Sequence, residues 1–377
     1  MTLALPLLHT GEGLTIDSLY RLLQCLLKPT VAVLYPLAVL ATHREELIRR
    51  GLLGLEDVWK GDWRVKVAVG VLGLAVGIKV NDWLSSGARN NWARDSSWDW
   101  EKEVVVVTGG SNGIGRVLVD KLSRKGIKVA VLDVVEPAPR LLPGSRFYRC
   151  DLSKKEQVDA AALEVVKLLG HPTVLVNMAG IVRCKTVLDS SARDIDLTYD
   201  INVKAHYYTA QAFLPEMIKQ GHGHVVTIAS NTAFIQAPLG VSYCSSKSSA
   251  LSFHEGLTLE LRHTYTPTSL ARRIRTSVVC PGHVKTDMFT GLDQGPWMPQ
   301  WAMPSLSVDT VAGLVERVVL SGESQYIIEP LAAKIMPWLR VLPTWVHAFV
   351  HSLAKDAMTG VSQVQKEKGV GVEKKQL

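Results

Sequence analysis

The sequence feature that most constrains the fold is a regular alternation between residues 101 and 330. Seven short runs rich in β-branched residues are separated by longer segments with the apolar period of a helix. The runs are EVVVVTG, KVAVLD, RFYRCD, TVLVNMAG, GHVVTIAS, RTSVVCPG and SQYIIEP. Strands that are apolar throughout are typical of a parallel sheet with helices on both faces. The pattern therefore predicts an α/β domain of about seven strands.

The first run leads directly into a glycine-rich turn, TGGSNGIG, and the turn into a helical segment from Gly113 to Arg124. Glycines permit a tight turn whose backbone N–H groups approach a pyrophosphate, which then rests at the positive end of the helix. A plain loop is the alternative, but the strand before and the helix after favour a nucleotide site. The layout predicted is a doubly wound, Rossmann-type sheet that binds its ligand at the carboxyl ends of the strands.

Asp133 ends the second run, where a carboxylate can accept hydrogen bonds from both ribose hydroxyls of a dinucleotide. A 2′-phosphate would be repelled there, and neither Asn112 nor Val134 supplies a basic group to bind it. NAD is therefore favoured over NADP. The alternative for Asp133 is an ordinary solvated carboxylate.

The alternating pattern at residues 101–330 is flanked by two regions of different composition. We therefore divide the chain into residues 1–100, 101–330 and 331–377. In the first region, residues 30–41 and 67–78 are apolar but shorter than the roughly 20 residues of a bilayer helix. The second stretch could extend to a crossing, because Lys66 and Lys79 at its ends can reach the headgroups. We predict a membrane-associating region, with buried helices of a subdomain as the alternative.

The third region, the C-terminal extension, mixes Trp338 and Trp345 with aliphatic and basic residues over positions 331–354. Such a mixture is typical of amphipathic helices in a membrane interface, although core packing or a dimer contact explains it almost as well. From Gln363 onward the sequence predicts a mobile polar tail.

Charge and cysteine content narrow the range of partners. The net charge of +7 and mean hydropathy of +0.13 favour a membrane surface, since no basic cluster with interleaved aromatic residues indicates nucleic-acid binding. The five scattered cysteines lack CxxC spacing, which indicates a reducing compartment and no zinc. His206, His254 and His283 form no ligand pattern, so no metal is predicted.

Further motifs carry a resemblance to a known family. CDLS contains Asp151, NMAG spans 177–180, DINV contains Asn202, and PGHVKT follows the sixth run. Together with TGGSNGIG and YCSSK, these motifs resemble the short-chain dehydrogenases/reductases over roughly residues 101–330. One difference from the family motif is Met178, which stands where the family has a second Asn. It affects the expected contacts with the adenosine part of the cofactor.

The resemblance implies a nicotinamide cofactor and a set of residues that contact it. This set is Gly109, Ser111, Asn112, Gly113, Ile114, Gly115, Asp133, Asp151, Leu152, Asn177, Ala179, Gly180, Tyr243, Lys247, Pro281, Val284 and Thr286. It also implies a possible homodimer through the helix that bears Tyr243, at about residues 241–262.

Ser230, Tyr243 and Lys247 are the expected catalytic group. Oxidation of an alcohol needs a base near neutral pH, and a free tyrosine, with a pKa near 10, is too weakly ionised. A lysine ammonium one helical turn later favours the phenolate, and Ser230 can donate to the substrate oxygen. By resemblance, Asn202 holds a water that links the lysine to solvent. Taken singly, these residues could equally be surface groups or helix caps.

Residues 287–306 follow PGHVKT, a segment that closes over the substrate in this family. Their apolar members predict a lipophilic substrate; they are Met288, Phe289, Trp297, Met298, Trp301 and Met303. The overall plan resembles the membrane-associated retinol and hydroxysteroid dehydrogenases, which implies the endoplasmic reticulum membrane or lipid droplets, with the catalytic domain in the cytosol. The alternatives are an NADPH-dependent lipid-carbonyl reductase and a non-catalytic anchored protein.

Overall fold

The computed structural model describes residue 12 and residues 15–265, 270–292 and 299–370. The chain divides into two compact units, the first ending at Arg89 and the second beginning at Asn90. This division lies before the boundary we predicted at residue 101. The physical reason is Arg275, a buried residue of the sixth strand, whose guanidinium donates to the carbonyls of Asn90 (3.0 Å) and Ala93 (2.6 Å). Residues 90–100 therefore belong to the sheet-containing unit.

The first unit is helical. Its helices are α1 (Ile16–Leu26), α2 (Pro29–Ala32), α3 (Leu34–Thr42), α4 (Arg44–Arg50), α5 (Leu52–Gly61) and α6 (Trp63–Arg89). α6 is a continuous helix of 27 residues, longer than the apolar run at 67–78 because polar residues extend it at both ends. Among the described helices it alone is long and apolar enough to cross a bilayer by itself, and only 11% of its most apolar window is buried. A second candidate exists only if α1 and residues 29–42, bent by 59°, form one span.

The second unit contains the predicted sheet. Its strands are β1 (Val104–Thr108), β2 (Lys128–Asp133), β3 (Ser145–Arg149), β4 (Val174–Asn177), β5 (His224–Ile228), β6 (Arg275–Pro281) and β7 (Tyr326–Glu329). All neighbours pair in parallel, in the order β3-β2-β1-β4-β5-β6-β7. The doubly wound parallel fold is thus confirmed, and all seven predicted runs form strands. The reversal of strand order at β1 and β4 creates the crevice in which such folds bind ligands.

Helices cover both faces of this sheet. The helices of this unit are α7 (Gly113–Ser123), α8 (Lys155–Leu169), α9 (Ala192–Tyr199), α10 (Ala205–Gln220), α11 (Val241–His263), α12 (Val308–Ser321), α13 (Met336–Leu339), α14 (Thr344–Leu353) and α15 (Thr359–Glu367), with a π-helical turn at Asp200–Lys204. Alternate valines of β1 point to opposite sides. Val104 and Val106 join the core formed with α8, α10 and α11, whereas Val105 and Val107 pack with α7 and α12.

The C-terminal residues correct the expectation of a mobile tail from Gln363. α15 continues to Glu367, and its Gln365 side chain accepts a hydrogen bond from the Cys184 N–H (3.0 Å). Ser362 donates to the Cys184 carbonyl at 2.8 Å. The segment is fixed because it supplies partners to backbone groups that follow β4; residues 371–377 lie outside the described part of the chain.

A cluster around His222 ties the segment before β1 to the sheet. The ring lies 2.8 Å from Asp95 through Nδ1 and 3.3 Å from Glu103 through Nε2, and Trp98 packs over it at 4.1 Å. Burial lowers the pKa of His222, but the hydrogen bonds to Glu103 and Asp95 outweigh it, and the net direction is upward. The protonated ring therefore stabilises the fold.

We expect the substitution His222→Gln to lower the free energy of unfolding by about 1–2 kcal/mol at pH 6. A histidine with a raised folded pKa contributes fully below its unfolded pKa of about 6.5, and loses that contribution as the pH rises through the folded pKa. Urea unfolding at pH 6 and pH 9 measures this, and the deficit should shrink at the higher pH. His263→Gln, at an exposed position of α11, is the control; an equal loss at both pH values would contradict the ionic role.

Candidate active site

A large cavity lies at the carboxyl ends of the strands, where the fold predicts a ligand. Its volume is about 1090 Å³, slightly above the ~300–1,000 Å³ usual for ligand pockets. One end is lined by the glycine turn and Asp133, and the other by Ser230, Tyr243 and the segment after β6. The cavity can therefore hold a dinucleotide and a further small molecule end to end.

The glycine turn has a geometry that side chains would prevent. Gly109 has φ +68°, and a Cβ there would lie 2.9 Å from the Ala179 Cα. A Cβ on Gly115 would overlap the Gly109 carbonyl oxygen. The turn thus packs tightly against its own backbone and against the loop after β4. This packing leaves the N–H groups of the turn and the start of α7 accessible to an anion.

The loop after β4 is held mainly by backbone groups. The Thr108 hydroxyl accepts hydrogen bonds from the N–H groups of Met178 (3.0 Å) and Ala179 (3.1 Å). The departure at Met178 therefore leaves this support intact. Asn177 is buried, and its side-chain oxygen accepts from Thr209 at 2.8 Å.

Asp133 is held at the end of β2 with its carboxylate beside the glycine turn. One oxygen accepts from the Ser111 N–H (3.1 Å) and the other from the Val135 N–H (3.2 Å). Sequence reasoning missed a cation nearby: Arg149 pairs with Asp133 across β2 and β3, and its guanidinium donates to the Val134 carbonyl at 2.9 Å. A residue on the adjacent strand carries no signal in the local motif, because the contact depends on strand pairing.

Most of the predicted site residues line the cavity. Those that do are Gly109, Asn112, Gly113, Ile114, Gly115, Asp133, Asp151, Leu152, Ala179, Gly180, Ser230, Tyr243, Lys247, Pro281, Val284 and Thr286. Ser111, Asn177 and Asn202 do not belong to the lining. All three are buried behind the lining residues.

The structure brings Ser230, Tyr243 and Lys247 together. Tyr243 and Lys247 lie one turn apart on α11, and the lysine Nζ is 5.9 Å from the centre of the tyrosine ring. Lys247 also donates to the Ile228 carbonyl at 2.9 Å, which fixes it below the end of β5. Ser230 shares a hydrogen bond with the tyrosine hydroxyl and also caps the turn Asn231–Ala233 by accepting from Thr232 N–H (3.2 Å). Ser230 can therefore cap this turn and contact Tyr243 at the same time, so the two interpretations of this residue do not exclude each other.

Burial is the main cause of the pKa shifts of Tyr243 and Lys247. Burial raises the pKa of Tyr243, and its hydrogen bond with Ser230 offsets this only in part. Burial also lowers the pKa of Lys247 to about 8. Desolvation is thus the largest influence on each pKa in the protein alone, and the prediction that the Lys247 ammonium favours the phenolate stays a prediction.

Asn202 lies in the π-helical turn at the start of α10 and is fully buried. Its amide oxygen accepts from the Ile181 N–H (2.8 Å), and its nitrogen donates to the Ile181 carbonyl and to Ser246 (both 2.9 Å). The side chain thus clamps the loop after β4 to α11. The amide oxygen keeps a second lone pair, so the expected water between Asn202 and Lys247 stays a prediction.

The substrate end of the cavity is apolar. Met288, Phe289 and Met303 line it, and the Phe289 ring packs edge-on against Tyr243 at 5.6 Å. Trp301 is exposed and does not belong to the lining, and Trp297 and Met298 lie outside the described residues. The predicted apolar lining is present among the residues that the structure describes.

Part of the wall comes from beyond the region of family resemblance. Met336, Ala354, Ala357 and Met358 line the cavity. Within the region of resemblance, His283, which hydrogen-bonds Ser305 at 2.9 Å, lines it too. Gly360 packs directly against the backbone of Gly291, so that a Cβ on either residue would overlap the other. Residues 354–358, next to this contact of α15, therefore complete the substrate end, a role that the sequence did not indicate because no motif marks it.

Comparisons with known proteins agree with this geometry. The family model described as short chain dehydrogenase matches residues 103–297. Dehydrogenase RED2 of Cochliobolus heterostrophus is 39% identical over 219 residues, covering 57% of this chain and 81% of that protein. Mouse epidermal retinol dehydrogenase 2 is 36% identical over 201 residues, which cover 50% of this chain and 62% of that protein, less than two thirds of its length. Estradiol 17-beta-dehydrogenase 11 of Macaca fascicularis is 31% identical over 251 residues, covering 64% of this chain and 79% of that protein.

Proposed function

The chain belongs to the short-chain dehydrogenase family, and on this premise we propose that it oxidises a lipophilic alcohol, or reduces the corresponding ketone or aldehyde, with NAD as the favoured cofactor. The family membership makes it an oxidoreductase of alcohols or ketones that uses a nicotinamide nucleotide. The cofactor, when bound, exchanges a hydride with the carbinol carbon. The substrate class and the residue roles below are our proposal.

The side chains at the inner end of the cavity perform the proton transfer. Ser230 donates to the substrate oxygen and orients it toward Tyr243. Tyr243 exchanges the hydroxyl proton, and Lys247 beneath it, 5.9 Å from the ring, favours the anionic form of the phenol. Phe289 packs against the same ring and excludes water from it.

The observation that carries the proposal is one continuous cavity in which the glycine turn and the Ser230–Tyr243–Lys247 group occupy opposite ends. Met288, Phe289 and Met303 line the substrate end of the cavity, and such adaptable apolar side chains suit a flexible apolar molecule. The relatives' names, a retinol dehydrogenase and an estradiol dehydrogenase, point to the same class of substrate.

The test is a panel assay on the purified full chain. NADH absorbance is followed with NAD and retinols, hydroxysteroids and long-chain alcohols, together with a short water-soluble secondary alcohol. Saturable turnover of apolar alcohols supports the proposal. No turnover of any alcohol, with NADH binding intact, would favour a non-catalytic protein.

Cofactor preference gives a sharper prediction. We expect Asp133→Asn to weaken NADH binding about tenfold, since a carboxylate that accepts from two ribose hydroxyls is lost, and to improve NADPH binding because the repulsion is removed. Fluorescence titration with both nucleotides measures the ratio. The variant Arg149→Gln tests the alternative cofactor. If this variant loses NADPH binding and Asp133→Asn does not, the reductase alternative is favoured, in which the guanidinium holds a 2′-phosphate.

Membrane attachment through α6 is the second part of the proposal. The exposed Trp63 and Trp83 lie about 20 residues apart, or about 30 Å along a helix, which equals the thickness of the bilayer hydrocarbon. Tryptophan is favoured at both membrane interfaces. The site of attachment that we propose is the endoplasmic reticulum membrane or a lipid droplet, with the catalytic unit in the cytosol.

A further inference from the structure

Six large apolar side chains of the C-terminal extension form an exposed surface, which we call the outer apolar face. Its members are Ile335, Trp338, Val341, Leu342, Trp345 and Phe349, and between 41% and 75% of each is exposed. Soluble proteins rarely place so many large apolar groups together in solvent. We therefore expect the outer apolar face to contact another apolar surface.

The orientation of the face is fixed by the opposite side of the same segment. Met336 and Leu339 are buried in a core with Phe234. Arg340 donates hydrogen bonds to the carbonyls of Ala233 (2.9 Å) and Phe234 (3.2 Å). The segment therefore cannot turn its exposed tryptophans inward without breaking these contacts.

Charge complementarity favours a phospholipid surface. The 331–355 segment contains no carboxylate and is followed by Asp356, whereas Lys334 and Lys355 are cations at exposed positions. Tryptophan beside lysine and arginine is the combination that binds at the headgroup level of membranes, and basic residues attract anionic lipids.

The outer apolar face is continuous with the wall of the substrate cavity. Met336 and Ala354, at its two ends in sequence, line the cavity, as do Ile235 and Gln236 on the adjoining loop. The Gln236 N–H donates to His351 at 3.3 Å, which joins that loop to α14. The segment that bears the outer apolar face thus also contributes to the wall of the cavity.

We propose that the outer apolar face docks on an anionic phospholipid surface and that the lipophilic substrate enters the cavity beside it. The second part rests on the proposed function, whereas the first does not. The face is distinct from α6, so it requires its own test in the presence of that helix.

The experiment uses the full chain reconstituted in vesicles of phosphatidylcholine with 30% phosphatidylserine. The double variant Trp338→Ser/Trp345→Ser is compared with Leu163→Ser, since Leu163 on α8 is exposed to the same 74% as Trp345. Brominated lipids should quench tryptophan fluorescence in the wild type and the control but about half as much in the double variant. The KM for a membrane-dissolved long-chain alcohol should rise about tenfold, with no change for a water-soluble secondary alcohol.

Three outcomes would overturn the proposal. The first is quenching by brominated lipids that does not differ between the double variant and the wild type. The second is a KM that rises equally for both alcohols, which indicates damage to the cavity. The third is a change in oligomeric state on light scattering without loss of quenching, which assigns the face to a second copy of the chain. If no alcohol is turned over, the proposed function fails, but the quenching still decides the docking.

Discussion

Replacing Tyr243 with phenylalanine is expected to lower kcat for alcohol oxidation by about 10³-fold. The change removes one oxygen from a ring that packs against Phe289 and Lys247, so the cavity keeps its shape and only the proton acceptor is lost. Binding of NADH should change less than about twofold, since its hydrogen bonds come largely from the other end of the cavity. Steady-state rates and fluorescence titration on the same preparation separate the two effects.

The matched control is Tyr207→Phe, a half-exposed tyrosine on α10 whose ring packs on Phe253 outside the cavity. It should retain the wild-type kcat. If Tyr243→Phe kept more than about a tenth of the activity, another group would have to accept the proton, and His283, the cavity residue that hydrogen-bonds Ser305, would be the first to examine.

The substitution Gly115→Ala is expected to weaken nucleotide binding by about 100-fold or more. An added Cβ would overlap the Gly109 carbonyl, which is a backbone atom and cannot move as a side chain can. The turn would have to open, and its N–H groups would lose the positions from which they bind a pyrophosphate. Isothermal titration with NADH measures the loss, and thermal unfolding reports the strain.

Gly256→Ala serves as the control because Gly256 lies within α11 and an added Cβ there has no neighbour within 4 Å. It should bind NADH normally and raise the free energy of unfolding by up to about 1 kcal/mol, owing to the better helix propensity of alanine. Normal nucleotide binding by Gly115→Ala would show that the phosphates lie elsewhere.

The sheet could be predicted from sequence because its strands are buried on both faces and therefore apolar throughout. KVAVLD became β2 with the same limits, Lys128–Asp133. The grouping of Ser230, Tyr243 and Lys247 was predicted from their spacing and from the family resemblance, and the fold brings the end of β5 and the start of α11 to the same crevice.

Features that depend on contacts distant in sequence could not be predicted in this way. Arg149 reaches the residue after Asp133 only through strand pairing, and Gln365 reaches Cys184 across the fold. The effect of burial on the pKa of Tyr243 could not be predicted, because local spacing reports the neighbouring charge but not the extent of burial, which has the larger effect. The full length of α6 could not be predicted either, because hydropathy marks the apolar run and not the helix around it.

The contact between Gly360 and Gly291 has a consequence for biosynthesis. All seven strands have been synthesised once Glu329 leaves the ribosome, so the sheet can assemble while the residues that close the substrate pocket are still untranslated. The closed pocket would then form last, when residues 354–360 reach the segment after β6. A chain that stops before these residues would keep all seven strands and the glycine turn but lack the groups that close the pocket.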